Sequence, residues 1–242
     1  MPFLELQTVS KSYGALVVTD DVSFSVNAGE AVGILGPNGA GKSTLFNLIG
    51  GTQAPNAGRI TFDDRDVTRL GAAARCRAGI GRSFQIPHPF VGMTVYENLL
   101  VGATFGQDDK GGADLCRDIL DQTGLLSKAN TPAGALTLLE RKRLELARAL
   151  ATNPTLLLLD EIAGGLTEAE CAALIQTIRS IRSRGVAIIW IEHVVQALTA
   201  VVDRLIVIDR GRVVADGVPA QVMDLPVVQE IYLGIDHDAD AA

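Results

Sequence analysis

Nine consecutive residues constrain this chain more than any others: Gly36-Pro37-Asn38-Gly39-Ala40-Gly41-Lys42-Ser43-Thr44, which fit G-x-x-x-x-G-K-[ST]. A β-branched apolar run, Ala31–Leu35, enters this stretch, and an apolar helical pattern, Leu45–Ile49, leaves it. Glycines let successive backbone N–H groups turn inward. The helix that follows brings the positive end of its dipole to the same point. A loop of this build cradles phosphate. Lys42 supplies a point charge for the β- and γ-phosphates, and the Ser43 hydroxyl is a Mg²⁺ ligand.

Further apolar runs set the fold class. Thr155–Leu159, Val186–Ile191 and Leu205–Ile208 are short, rich in aliphatic residues and bounded by Gly, Asp or Pro, so each reads as a buried strand. Helical patterns lie between them, such as Glu168–Arg184 with Ala172, Ile175, Ile178 and Ile181 on one face. Alternation of this kind predicts an α/β domain with a largely parallel sheet. Leu4–Val9 and Val22–Val26 instead alternate around turn residues, which predicts an antiparallel β-region. Tyr96–Ala151 lacks good strands and reads as a helical insertion broken at Gly106–Gly112 and Thr131–Gly134. The acidic tail Asp236–Ala242 is expected to fray.

One strand ends in chemistry. In Leu156-Leu157-Leu158-Leu159-Asp160-Glu161, the acids sit at the C-terminal strand end, where parallel α/β sheets bind ligands. Asp160 is placed to orient Mg²⁺. Glu161, one residue on, is free to poise an attacking water. No lysine stands in an N-K-x-D guanine-reading motif, so adenine is the expected base.

Composition then removes classes. The net charge of −7 and an aromatic content of 5% disfavour a nucleic-acid partner. No apolar run approaches the ~18 residues of a bilayer span, and Met1–Ser10 does not read as a signal peptide. Cys76, Cys116 and Cys171 are odd in number and lack C-x-x-C spacing, which suits small core hydrophobes in a reducing compartment. At 242 residues, one large domain is expected, with a helical subdomain at about 90–151.

With these residues assembled, the chain resembles the ATP-binding subunit of an ABC transporter, from about Leu4 to Gly234. The resemblance implies a P-loop NTPase (RecA-like) α/β core with an antiparallel β-region and a helical insertion subdomain. It implies ATP and Mg²⁺ as ligands. Tyr13, 23 residues before Gly36, matches the aromatic that stacks on adenine. Gln85, in Gly81-Arg82-Ser83-Phe84-Gln85, matches the glutamine that links Mg²⁺ and water to the membrane partner. His193, in Trp190-Ile191-Glu192-His193, matches the switch histidine at the γ-phosphate. Asp160 and Glu161 match the metal-site acid and the catalytic base. Ser43, Gln85 and Asp160 are thus the implied metal set, and Glu161, His193 and Gln85 the catalytic one.

Two segments depart from the family pattern. Its signature, Leu-Ser-Gly-Gly-Gln, falls on Leu136-Thr137-Leu138-Leu139-Glu140, with leucine at both glycine positions. In the family this segment faces ATP held by the opposite subunit. The segment Gly164-Gly165-Leu166-Thr167 ends in Thr167 where the family has Asp. The helix Arg141–Ala151 matches well; its cluster Arg141 to Arg143 is either phosphate-facing or a solvated face.

Finer likeness points to the branched-chain amino acid uptake branch. It is carried by Ile80–Gln85, Met93–Leu100, Ala215-Asp216-Gly217 and Tyr232-Leu233-Gly234, and urea- and amide-type systems look similar. The implied partners are a second ABC ATPase subunit in a heterodimer, two integral-membrane permease subunits and, indirectly, a solute-binding protein. The implied place is the cytoplasmic face of the inner membrane, peripherally bound. The apolar loop Ile86–Val91 is either a membrane-subunit contact or a lid on the core. Two other readings stand beside the motor: a weakly catalytic or non-catalytic subunit of a heteromeric transporter, and a soluble ABC ATPase acting on nucleic acid or ribosomes.

Overall fold

The computed structural model describes residues 2–106 and 112–233. The expected tail at Asp236–Ala242, Gly234 of the C-terminal likeness and most of the break at Gly106–Gly112 lie outside them.

The chain begins with β1 (Leu4–Tyr13), β2 (Leu16–Val26) and β3 (Ala31–Leu35), then α1 (Lys42–Gly50), β4 (Ala57–Phe62), β5 (Arg65–Asp66), α2 (Ala72–Ala78) and β6 (Ile80–Arg82). The helical region follows as α3 (Val95–Phe105), α4 (Gly112–Gln122) and α5 (Leu138–Ala151). The chain then runs through β7 (Leu156–Asp160), α6 (Glu168–Ser183), β8 (Ala187–Ile191), α7 (Val195–Thr199), β9 (Arg204–Asp209), β10 (Arg212–Gly217), α8 (Pro219–Met223) and α9 (Pro226–Leu233).

Two sheets form. The antiparallel one has the order β2-β1-β4-β5, and the second has β10-β9-β3-β8-β7-β6. In the second, β9, β3, β8, β7 and β6 run parallel, and only the edge strand β10 is antiparallel. The fold is thus the expected α/β P-loop core with an antiparallel sheet and a helical region.

Both faces of the parallel sheet are covered, which explains its unbroken apolar strands. Along β7, Leu156 and Leu158 join a core with β1, β4 and α1 (Leu4, Phe46, Ile60, Phe62). Leu157 and Leu159 face the other way, into a core with Trp190 and residues of α3 to α6 such as Leu99, Ile119 and Ile178. One five-residue strand therefore ties two layers together.

Capping sets the helix starts. Thr94, Thr137 and Thr167 each accept from the backbone N–H three residues on, while Glu97, Glu140 and Glu170 reach back to the threonine N–H. Each is a capping box, in which two orphan donors are satisfied reciprocally.

The apolar face of α6 differs from the one the sequence predicts. Ala172 is exposed, and the inward face of α6 is Cys171, Leu174, Ile175, Ile178 and Ile181. Cys171 lies one turn before Leu174 and Ile175, so the apolar stripe passes beside Ala172. The three cysteines are free; Cys116 is buried, and Cys76 and Cys171 are partly exposed.

Candidate functional site

The parallel strand order explains why distant residues meet. The C-terminal ends of β3, β8, β7 and β6 lie on one edge of the sheet, and they lead into Gly36, His193, Glu161 and Gln85 respectively. A Brändén-type crevice is expected at that edge.

The glycine loop is built by close backbone approach. Gly41 has φ +101°, and a Cβ there would fall 2.4 Å from the Val18 carbonyl oxygen. A Cβ on Gly36 would fall 2.2 Å from the Ile208 carbonyl oxygen. Lys42 opens α1 with its side chain buried, and Nζ donates to the carbonyls of Gly36 at 2.7 Å and Pro37 at 2.9 Å. Burial lowers its pKa, against the opposing fields of Glu161 and Asp160. The next residue, Ser43, is exposed. Tyr13 ends β1 with its ring exposed, its hydroxyl donating to Gln53 and Lys11 Nζ 5.5 Å from its centroid.

Opposite the loop, Asp160 is buried at the end of β7. Burial raises its pKa, and the charge of Arg82 opposes that shift. Arg82 Nη2 donates to Asp160 Oδ2 at 3.2 Å, and among the described residues this is Asp160's only side-chain hydrogen bond. Glu161 follows with φ +48°, a left-handed conformation rare outside Gly, Asn and Asp. Its N–H donates to the Ile191 carbonyl at 2.9 Å, which holds the turn. Its carboxylate then meets two partners. Oε1 lies 2.6 Å from His193 Nε2, and Oε2 accepts from Gln85 Nε2. Three strand ends therefore bring the expected catalytic trio together, with Glu161 touching both Gln85 and His193.

This arrangement can hold a nucleotide's phosphates and deliver a carboxylate to a water beside them. Among the described residues no cluster of three or more His, Cys, Asp or Glu side chains could hold a cation. Mg²⁺ at such sites relies on one or two protein oxygens plus phosphates. The exposed Ser43 and the buried Asp160, whose Oδ1 is free of hydrogen bonds among the described residues, fit that donor set.

The altered signature lies apart from this chemistry. Leu136 is buried, Thr137 caps α5, and Leu138 and Leu139 occupy its first turn without positive φ. A helical backbone there does not need glycine's conformational freedom, so leucine is tolerated. Leu138 is 64% exposed and projects from the helix start. Arg141 and Lys142 are not simply solvated: Arg141 donates to the Leu136 and Gly134 carbonyls, and Lys142 to the Gly164 carbonyl. Thr167 is the N-cap of α6.

Sequence reasoning missed three participants. Arg82 holds Asp160, and Asn47 holds Arg82. Glu192, buried beside His193, accepts from the Ala163 N–H at 3.4 Å. A charged residue just past a buried apolar run, as at Glu192 after β8, was the available signal; Arg82 and Asn47 carried none.

The loop Ile86–Val91 does not seal the core. Ile86, Phe90 and Val91 are 45–65% exposed. Asn98 pins the loop through the Phe90 N–H and carbonyl, and Arg148 lies over the Phe90 ring. Behind it is a cavity of about 260 Å³ lined by Arg82, Phe84, Phe90, Asn98, Glu145 and Arg148 among others.

Comparison with known proteins agrees with this geometry. The family model described as "ABC transporter" matches residues 19–164. The lipopolysaccharide export system ATP-binding protein LptB of Acidithiobacillus ferridurans is 35% identical over 96% of this chain and 96% of its own length. The high-affinity branched-chain amino acid transport ATP-binding protein BraF of Pseudomonas aeruginosa is 33% identical over 96% of this chain and 98% of its own length. The crystal structure of the ADP conformation of an ATP-binding cassette of an ABC transporter superposes with a TM-score of 0.88 at 31% identity, covering 97% of this chain and all of that one. Subunits of this kind bind ATP with Mg²⁺, hydrolyse it and work with membrane permease components. The chain belongs to the ABC transporter family, as an ATP-binding, ATP-hydrolysing subunit.

Proposed function

We propose that this chain is the motor of an importer for branched-chain or related amino acids. The observation that carries the reading is the likeness of Ile80–Gln85, Met93–Leu100 and Ala215–Gly217 to that branch, alongside the 33% identity to BraF over almost the whole chain. The 35% identity to LptB favours a second reading, a subunit powering lipopolysaccharide export. The transported solute does not touch an ATP-binding subunit, so uptake separates the two. Membrane vesicles carrying this chain with its cognate permeases should accumulate labelled leucine in an ATP-dependent way. Vesicles that release lipopolysaccharide and take up no amino acid would support export.

In this reading Lys42 and the loop N–H groups of Gly36–Thr44 bind the triphosphate, and Tyr13 stacks on adenine. Ser43, Asp160 and Gln85 would hold Mg²⁺, which would supply charge neutralisation of the phosphates. Glu161 accepts the proton of the attacking water. His193 orients Glu161 and contacts the γ-phosphate side. Catalysis of this kind is mostly positioning and charge neutralisation.

The pairing partner is a second ATPase subunit, each ATP lying between one glycine loop and the opposite α5 start. Leu136–Glu140 of this chain would serve the partner's ATP. The permeases dock on the exposed Phe84, Ile86, Phe90 and Val91 around the cavity behind them. The exposed, tethered state of this loop supports a contact surface over a core lid. Among the described residues no helix is long and apolar enough to cross a membrane, which fits peripheral attachment at the cytoplasmic face. One domain, with the helical subdomain at about 90–151, completes the proposal.

A further inference from the structure

We propose that Arg82 is a positioning residue that sets the spacing between Ser43 and Asp160. This rests on the reading of those two residues as the metal-side donors.

The guanidinium reaches two elements at once. Nη2 donates to Asp160 Oδ2 at 3.2 Å, and Nη1 donates to Asn47 Oδ1 at 2.8 Å. Asn47 lies four residues after Ser43 on α1, hence on the same helix face, one turn along. A clamp from Asn47 to Asp160 therefore fixes the helix that carries Ser43 against the strand that carries Asp160. Arg82 itself ends β6, three residues before Gln85. One planar group thus touches the supports of all three expected donors.

The surroundings hold the guanidinium in place. Its carbon lies 5.7 Å from the Phe46 ring centroid and 4.9 Å from that of Phe84. The side chain is 11% exposed, and its Nε is buried with no hydrogen-bond partner among the described residues. A buried ion pair with an orphaned donor is a poor stability device, since an apolar side chain of similar volume often does as well. The geometry instead suits orientation: it occupies Oδ2 and leaves Oδ1 open. Outer partners of a ligating carboxylate commonly tune metal affinity in this way.

The test uses the purified full chain. ATP binding is measured by calorimetry with and without Mg²⁺, together with the melting temperature of the nucleotide-free chain. For Arg82→Met, the Mg²⁺ concentration that half-saturates the Mg²⁺-dependent gain in affinity should rise by about 10–100-fold. Mg²⁺-free ATP affinity should stay within about twofold. Arg82→Lys keeps the charge but cannot bridge both acceptors, so it should fail similarly. Asn47→Ala should shift in the same direction, and Arg82→Met with Asn47→Ala should be less than additive. Asn47→Ala also serves if Arg82→Met does not fold. Asp160→Asn tests the underlying reading. If Asp160→Asn raises the Mg²⁺ requirement while the Arg82 and Asn47 variants leave it unchanged, the clamp is refuted. If Asp160→Asn leaves it unchanged, the metal reading fails and the clamp with it.

Discussion

Glu161 is shared between two residues that follow other strands: its Oε1 lies 2.6 Å from His193 Nε2, just past β8, and its Oε2 accepts from Gln85, past β6. A carboxylate held from both sides has little rotational freedom. Its backbone adds to the constraint, because φ +48° at a glutamate is strained by about 1–3 kcal/mol. Strain of that size at the end of a buried strand fits a side chain placed for chemistry.

Lys42→Ala should remove most ATP affinity. The ammonium is the one cation built into the glycine loop, and Asp160 and Glu161 both bear on it. Calorimetric titration with ATP checks this, and affinity equal to the parent would argue against the phosphate role.

Gly41→Ala should lower the free energy of unfolding by at least about 2 kcal/mol. Its φ of +101° strains any L-residue, and the new methyl would meet the Val18 carbonyl at 2.4 Å. Urea denaturation followed by circular dichroism reads the loss.

Glu192 gives the chain a pH dependence of defined sign. Burial, opposed by the Ala163 N–H and reinforced by Glu161, pushes its carboxyl up to about 7. An acid with a raised folded pKa binds its proton more tightly when folded. Its stabilising contribution is therefore complete below the ordinary carboxylate range and is lost as pH rises through about 7. Melting temperature should fall over that window, and Glu192→Gln should flatten the fall.

In an assembled pair, the ATP facing this chain's α5 should turn over more slowly than the ATP in its own glycine loop. Leu138 places an exposed isobutyl group at the helix start, where in the proposed pair the partner's ATP phosphate would need polar contacts. The capping box takes up the Thr137 and Glu140 N–H groups but leaves those of Leu138 and Leu139 without a partner among the described residues, so weakening is expected rather than loss. Mutating each subunit's catalytic glutamate in turn resolves the two sites. Transport that survives loss of Glu161 but not of the partner's glutamate would reverse this asymmetry.

Much of the fold was legible because its strands are buried on both faces. Ala31–Leu35 reads as an apolar run and is β3 to the residue, and the runs before Asp160 and Glu192 end within one residue of β7 and β8. The alternating Leu4–Val9 and Val22–Val26 read as an antiparallel region and lie in the paired β1 and β2, whereas very short strands and the polar ends of strands were not legible. Ile80–Arg82 has only three residues with glycine in the middle, and no periodicity can show in three positions. The polar end of β1, Lys11 to Tyr13, is strand because its ladder with β2 continues through register shifts. In the site, the motif residues were readable from local spacing. Arg82 and Asn47 were not, because their pairing joins residues 35 positions apart and arises only when β6 packs beside α1 and β7.

In the proposed mechanism Glu161 drives hydrolysis at this site. The direct measurement compares ATP turnover and ATP binding in Glu161→Gln and the parent chain, under identical Mg²⁺. The amide is nearly isosteric but cannot take up a proton from water. Turnover should fall by about 10²–10⁴-fold while binding is kept. Turnover at the parent rate in the variant would place the base elsewhere.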